Sequence, residues 1–255
     1  MKITSIVKKK TSYDVTFDST VITLDPSVLL KYRLKVGDEI QPSQLKDITF
    51  DQAFVTYDHM ALKKLKKMQT TYELKTFLEE KGAPSAVIKQ LIDRYIKHKY
   101  LDDLNYAHTY VLLKSSSQGP NLMIDKLKSK GISHVIIDTV FKSYDESDVL
   151  KSLMIKKVQK TKGKSKSQLK TQLYTHFVSK GFTPEMIQSY MTKALEAYDV
   201  DEDHLIEKTL RVALHKYRQT HELYEAKTKA LQKCIQKGFH YHDIKRVMDT
   251  LDDDL

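Results

Sequence analysis

The residues whose type and spacing best suit chemistry are lysines. Between Val149 and Pro184 there is no Asp or Glu, but nine lysines: Lys151, Lys156, Lys157, Lys160, Lys162, Lys164, Lys166, Lys170 and Lys180. The densest part, KKVQKTKGKSKSQLK, runs from Lys156 to Lys170 through a loop with Gly163, Ser165 and Ser167. An ammonium on a flexible stem meets a phosphate as a point charge, so such a run can follow a phosphate backbone without reading sequence. A second acid-free span, His59 to Tyr72, carries Lys63, Lys64, Lys66 and Lys67. On a helix, Lys63 and Lys67 would share a face at i and i+4, with Leu62 and Leu65 turned inward. The net charge of +10 has the same sign. It points to an anionic partner: nucleic acid, a membrane surface or an acidic protein. The plainer readings are a solvated linker for the first run and an ordinary solvated helix face for the second.

Other chemistries find little support. There is no G-x-x-x-x-G-K-[ST], no G-x-G-x-x-G and no H-E-x-x-H, so no enzyme, cofactor or small-molecule substrate is expected. His240, His242 and Cys234 hint at a metal, but Cys234 falls on an apolar position and a fourth ligand is not evident. Ser115 to Ser117 lack a nucleophile-elbow context and read as a loop. A single cysteine excludes an intrachain disulfide and fits a reducing cytoplasm. No apolar run approaches the roughly 20 residues that span a bilayer.

The elements that must carry the lysines follow from a repeat. Lys-Gly pairs at Gly82, Gly131, Gly181 and Gly238 are 49, 50 and 57 residues apart. Eight and four positions before them stand Leu74 and Leu78, Met123 and Leu127, Leu173 and Phe177, and Ala230 and Cys234. Six and nine positions after stand Ile88 and Leu91, Ile137 and Val140, Ile187 and Tyr190, and Ile244 and Val247. Each set shares one helix face. A glycine between them is expected as a left-handed helix C-cap. With a leading helix before each pair, the chain reads as tandem three-helix repeats, mainly α, in an elongated, curved array.

Leading helices are expected over about 49–68, 105–113, 149–159 and 204–217. Acidic clusters precede three of them: Asp102-Asp103, Asp145-Glu146-Asp148 and Asp201-Glu202-Asp203. Their recurrence predicts helix capping rather than metal or acid–base work. Asp252-Asp253-Asp254 reads as a frayed tail beyond the last helix. The first 55 residues differ. Three short strands (3–9, 13–17, 21–24) and a helix begun by Asp25-Pro26 predict a small β-containing cap. The expected domains are this cap at 1–55 and repeats at 56–103, 104–147, 148–202 and 203–255.

Tyr100-Leu101-Asp102-Asp103 with Tyr106-Ala107, then Gly119-Pro120, Leu127 and Lys130-Gly131-Ile132, resembles the central motif of the bacterial RecX regulatory proteins. Ala61 to Leu65, Tyr72-Glu73-Leu74 and Leu78 resemble the stretch before it. The resemblance runs from about Phe54 to the C-terminus. The strand-bearing start and fourth glycine unit look like the longer Gram-positive versions. Where that family often carries arginines, Lys63, Lys64, Lys66 and Lys67 keep the charge without the planar fork.

The resemblance implies tandem three-helix repeats. It also implies a regulator that binds the RecA–single-stranded DNA filament and limits its growth or activity in DNA repair, homologous recombination and the SOS response. Tyr100, Leu101, Asp102, Asp103, Tyr106, Ala107 and Gly131 would then be structural motif residues, and the eleven lysines from Lys63 to Lys67 and Lys156 to Lys170 the contact surface. Two other readings stay open. A sequence-specific or nonspecific DNA-binding transcription regulator would suit the helix–turn–helix pairs, although helices such as 85–95 lack Arg, Asn and Gln for base edges. A helical-repeat scaffold would need no nucleic acid.

Overall fold

The computed structural model describes residues 1–252. Three strands, β1 (Ile3–Lys8), β2 (Tyr13–Phe17) and β3 (Thr20–Leu24), form an antiparallel meander in the order β1-β2-β3. Alternation puts Val15 and Phe17 on the buried face with Ile3 and Leu24. Helix α1 (Pro26–Lys31) starts as expected: Asp25 accepts from the Ser27 N–H, and proline, with no N–H to satisfy, takes the first helical position.

Helix α2 (Pro42–Lys64) differs from its expected span. It begins before Thr49, because Pro42 opens it after an extended Gln41, and it ends before Met68. Its first half buries Ile48 in the sheet's core, and its last part buries Ala61 against the next two helices. One continuous helix thus serves both the β-containing cap and the first helix triplet.

The rest of the chain is helical: α3 (Thr71–Glu80), α4 (Ser85–Lys97), α5 (Asp103–Lys114), α6 (Pro120–Ser129), α7 (His134–Phe141), α8 (Ser147–Lys160), α9 (Lys166–Ser179), α10 (Pro184–Glu196), α11 (Glu202–Tyr217), α12 (Leu223–Gln236) and α13 (Tyr241–Asp252). With α2 these fall into four triplets, the second and third helices of each joined through a Lys-Gly turn. Gly82, Gly131, Gly181 and Gly238 all have left-handed φ, +75° to +85°. Of the sixteen apolar repeat positions, all are buried except Tyr190, which is half-buried. Asp252 is the last residue of α13, so it lies inside the helix rather than in a tail; Asp253 and Asp254 lie outside the described residues.

The described residues form two compact units. The first comprises Met1–Thr109 with Leu127–Thr139, and the second Tyr110–Lys126 with the described part of Val140–Leu255. In the first, Leu74, Leu78, Leu91 and Tyr95 centre the core of α2, α3 and α4. In the second, Leu150, Met154, Leu169, Leu173 and Phe177 centre one core, and Leu210, Ala230, Cys234 and Ile244 another. Burial pushes the Cys234 thiol up to about 11, as suits an inert core residue. Among the described residues no helix is long and apolar enough to cross a membrane.

Candidate polyanion-binding surface and the repeat joints

In α8 the core stripe is Leu150, Met154 and Val158, at i, i+4 and i+8. Lys156 and Lys160, one turn apart, fall on the other side and are exposed; Lys157 is half-buried at the edge. In α9 the stripe is Leu169, Leu173 and Phe177, which leaves Lys166 and Lys170 exposed. Phe177 is core, as its repeat position predicts.

The turn between α8 and α9 is more ordered than a solvated linker. The Tyr198 hydroxyl accepts from the Lys164 N–H at 3.3 Å and donates to the Lys164 carbonyl at 3.0 Å. The Lys164 ammonium donates to Gln172 at 2.8 Å. Ser165 is no loop residue but the buried N-cap of α9, accepting from the Gln168 N–H. Lys162 projects freely, while Lys164 is partly held.

The first lysine run needs a correction. Helix α2 stops at Lys64, with Leu65 as its C-cap, so Lys66 and Lys67 lie in the following turn. Lys63 and Lys67 therefore do not share a helix face. Leu62 does not turn inward either: it is 40% exposed, and Ala61 takes the buried position with Leu65 half-buried behind it. The cause is the next helix. Thr70 and Glu73 form a capping box that starts α3, so the chain must leave the helical path before Thr70. All four lysines remain exposed, and the Lys64 ammonium sits 5.1 Å from the Phe77 ring centroid.

Among the described residues none of the eleven lysines enters an ion pair. Their field is felt nearby. Burial holds His176 below its usual pKa, and the charges of Lys157 and Lys180 push it the same way.

The same turn borders a groove of about 360 Å³. Gly163 and Gln168 form one wall. Leu205, Lys208, Thr209, Val212 and Lys216, all on one face of α11, form the floor, and Lys233 of α12 with Lys237, its C-cap, closes it. Among the described residues no carboxylate lines it. These lysines escaped the reading of the sequence because Glu202, Asp203 and Glu207 dilute the local charge. The signal that could have found them is Lys208 and Lys216 set symmetrically about an apolar Val212.

The triplets meet through a recurring joint. The start of one second helix abuts the Lys-Gly end of the next one. At the first joint, the Thr70 hydroxyl donates to the Lys130 carbonyl at 2.7 Å. At the third, the Ser165 hydroxyl donates to the Lys237 carbonyl at 2.8 Å. At the second, where Gly119 offers no hydroxyl, its backbone N–H donates to the Lys180 carbonyl at 2.8 Å, and the Asn121 N–H donates to the Gly181 carbonyl at 3.0 Å. In each case carbonyls left over at a helix C-terminus meet donors at a helix N-terminus, so that ends of opposite partial charge come together.

The acidic clusters serve these joints in pairs. Asp102 and Asp201 each cap their own leading helix, accepting from Asn105 at 3.0 Å and His204 at 2.9 Å. Asp103 and Glu202, one residue on, reach back to the preceding second helix, accepting from the N–H of Thr71 at 2.8 Å and of Lys166 at 2.6 Å. Asp145 and Glu146 depart from this pattern. Pro120 stands where Thr71 and Lys166 stand and has no N–H to offer. Glu146 turns instead to the Thr183 hydroxyl, and Asp145 accepts from Ser147. Helix capping is thus only half of what these carboxylates do.

The regulatory protein RecX of Streptococcus mutans is 31% identical to this chain over 260 residues, covering 97% of this chain and 98% of that protein. The chain belongs to the RecX family of regulatory proteins. RecX of Streptococcus gordonii is 28% identical over 254 residues, with 97% and 98% covered, and RecX of Listeria monocytogenes 25% over 256 residues, with 96% and 95% covered. A crystal structure of regulatory protein RecX matches the fold with a TM-score of 0.61 at 21% identity, covering 75% of this chain and all of that one. RecX from Lactobacillus salivarius matches with a TM-score of 0.52 at 20% identity, covering 56% and 96%. No protein-family model matches the chain.

In this RecX-family chain three of the motif residues, Asp103, Tyr106 and Gly131, meet the first joint. Leu101 and Ala107 are buried, and exposed Tyr100 meets the Tyr95 ring edge-on at 5.9 Å. The Lys130 ammonium pairs with Glu73 and lies 5.6 Å from the Tyr106 ring centroid. Gly131 lies against Tyr72 so closely that a Cβ there would come within 2.2 Å of the tyrosine Cβ.

The bond from the Asn105 N–H, more than any other influence, holds the Asp102 carboxyl below the usual carboxylate range; Lys99 adds to this against partial burial. A lowered folded-state pKa stabilises above the unfolded value of about 3.9 and is lost as pH falls through the folded value. Asp102→Asn caps without titrating. The stability gap between wild type and this variant should therefore close as urea midpoints are taken from about pH 7 to about pH 3. A gap that stays constant with pH would deny Asp102 this role.

Proposed function

We propose that this RecX-family chain binds the RecA recombinase filament on single-stranded DNA, in the cytoplasm, and limits its growth or activity without catalysing a reaction. The supporting observation is the lysine ridge at the end of α8, its turn and the start of α9: mostly exposed and without ion pairs among the described residues, with Glu202 meeting it at the Lys166 backbone N–H. Such a ridge suits the regular phosphates of a DNA strand or an acidic filament groove. The segments 1–55, 56–103, 104–147, 148–202 and 203–255 would act as a cap and four contact modules, several weak contacts adding up to avidity. The protein would serve DNA repair by restraining homologous recombination.

The test is the DNA-dependent ATPase of RecA from the same organism. Added at a stoichiometric ratio, the wild-type chain should slow it. A variant carrying Lys156→Glu, Lys160→Glu, Lys162→Glu and Lys166→Glu, with unchanged circular dichroism, should leave most of the rate intact. Should the wild-type chain have no effect, the reading is wrong.

A further inference from the structure

We propose that the groove between α11, α12 and the α8–α9 turn is a nucleotide-binding site, with lysines on the phosphates and an apolar floor under the base. The floor is the unusual part. Val212 is 66% exposed in the middle of α11, and Leu205 and Tyr217 line the same groove. What sets Val212 apart from other exposed apolar side chains is its place in a groove that Leu205, Ala213, Tyr217 and Phe239 also line, with lysines around it.

Lys208 and Lys216 are eight residues apart on α11, about 12 Å along its axis, with Val212 midway. A base lying on Val212 would have an ammonium at either side. Lys233 and Lys237 approach from α12, one turn apart. The Lys237 ammonium donates to the Thr209 hydroxyl at 3.2 Å, which aims it into the groove. None of the four lysines forms an ion pair among the described residues, so binding an anion there would break no internal pair. With no carboxylate in the lining among the described residues, cations are disfavoured and anions drawn in.

The volume, about 360 Å³, is at the small end of the roughly 300–1,000 Å³ of ligand pockets. A bare phosphate would leave the floor uncovered, and a purely apolar ligand would leave the lysines unanswered. A nucleotide has both parts: a π-face that stacks on apolar and aromatic side chains, and charged phosphates. It could be a free nucleoside triphosphate or one nucleotide of a single strand. The chain has no Gly-rich phosphate loop, so the site would bind without hydrolysing.

The site stands independently of the recombinase reading and is tested on the full-length chain alone. ATP, a short oligothymidylate and inorganic triphosphate are titrated by calorimetry. The background is the ridge variant described above, so the ridge itself adds no strand binding. At least one of ATP and oligothymidylate should bind. Lys208→Glu with Lys216→Glu and Lys233→Glu, and separately Val212→Asp, should each weaken it about tenfold or more, with circular dichroism unchanged. ATP binding alone identifies a free nucleotide as the ligand; oligothymidylate binding alone identifies a strand. The proposal is overturned if neither binds, if triphosphate binds as well as ATP, or if Val212→Asp has no effect.

Discussion

Gly181→Ala should destabilise the second unit by about 2–5 kcal/mol: about 1–2 for a side chain held at left-handed φ, and the rest for overpacking. The backbone there has φ +85°, and a Cβ would come within 2.3 Å of the Leu122 nitrogen and 2.4 Å of its Cβ. Neither atom can swing aside, because both belong to the rigid start of α6. Gly82→Ala is the control. Its φ is +78°, but the nearest atom to an added Cβ is the Tyr57 hydroxyl at 3.9 Å, so only the backbone strain of about 1–2 kcal/mol remains. Gly238→Ala should fall between, with Ser167 at 3.1 Å. Urea midpoints of the three variants would rank them. Equal costs at Gly181 and Gly82 would show that the joint does not need its glycine for closeness.

The second large effect is on salt dependence. Each lysine that meets a phosphate of a single strand contributes about 0.7 to the slope of log K against log salt. The ridge variant, with Lys156, Lys160, Lys162 and Lys166 reversed to glutamate, should therefore flatten the slope for single-stranded DNA by about 3. Lys164 is left in place because its ammonium is already engaged by Gln172. Fluorescence anisotropy between about 50 and 200 mM salt reads the slope directly. If it changes by less than one contact's worth, the ridge lies off the DNA path.

The two effects separate what was legible in the chain from what was not. The three-helix repeat could be read from Leu74, Leu78, Ile88, Leu91 and their echoes, because helical periodicity places such residues on one face whatever lies opposite. The left-handed glycines were legible for a similar reason: a C-cap is local. The end of α2 was misread, since Leu62 and Leu65 fit an inward stripe equally well until the Thr70 capping box forces the helix to stop at Lys64. The acidic clusters were half legible. Asp102 and Asp201 cap their own helices, a local matter, but Asp103 and Glu202 bond to Thr71 and Lys166, 32 and 36 residues back.

The helical repeat, its buried positions, the glycine turns and the basic character of α8 and α9 are thus written in the order of residues alone. These depend on spacings within a helix or a turn, and on the recurrence of the same local pattern about every 50 residues. It is folding in three dimensions that explains the places of the last three Lys-Gly pairs: their carbonyls receive donors from a helix start far back in the chain, 60 residues at Thr70 and 72 at Ser165. The same folding brings Lys208, Lys216, Lys233 and Lys237 around one groove. The repeat marks where such contacts recur but not what they join, because a hydrogen bond across a joint constrains two positions without constraining the residues between them.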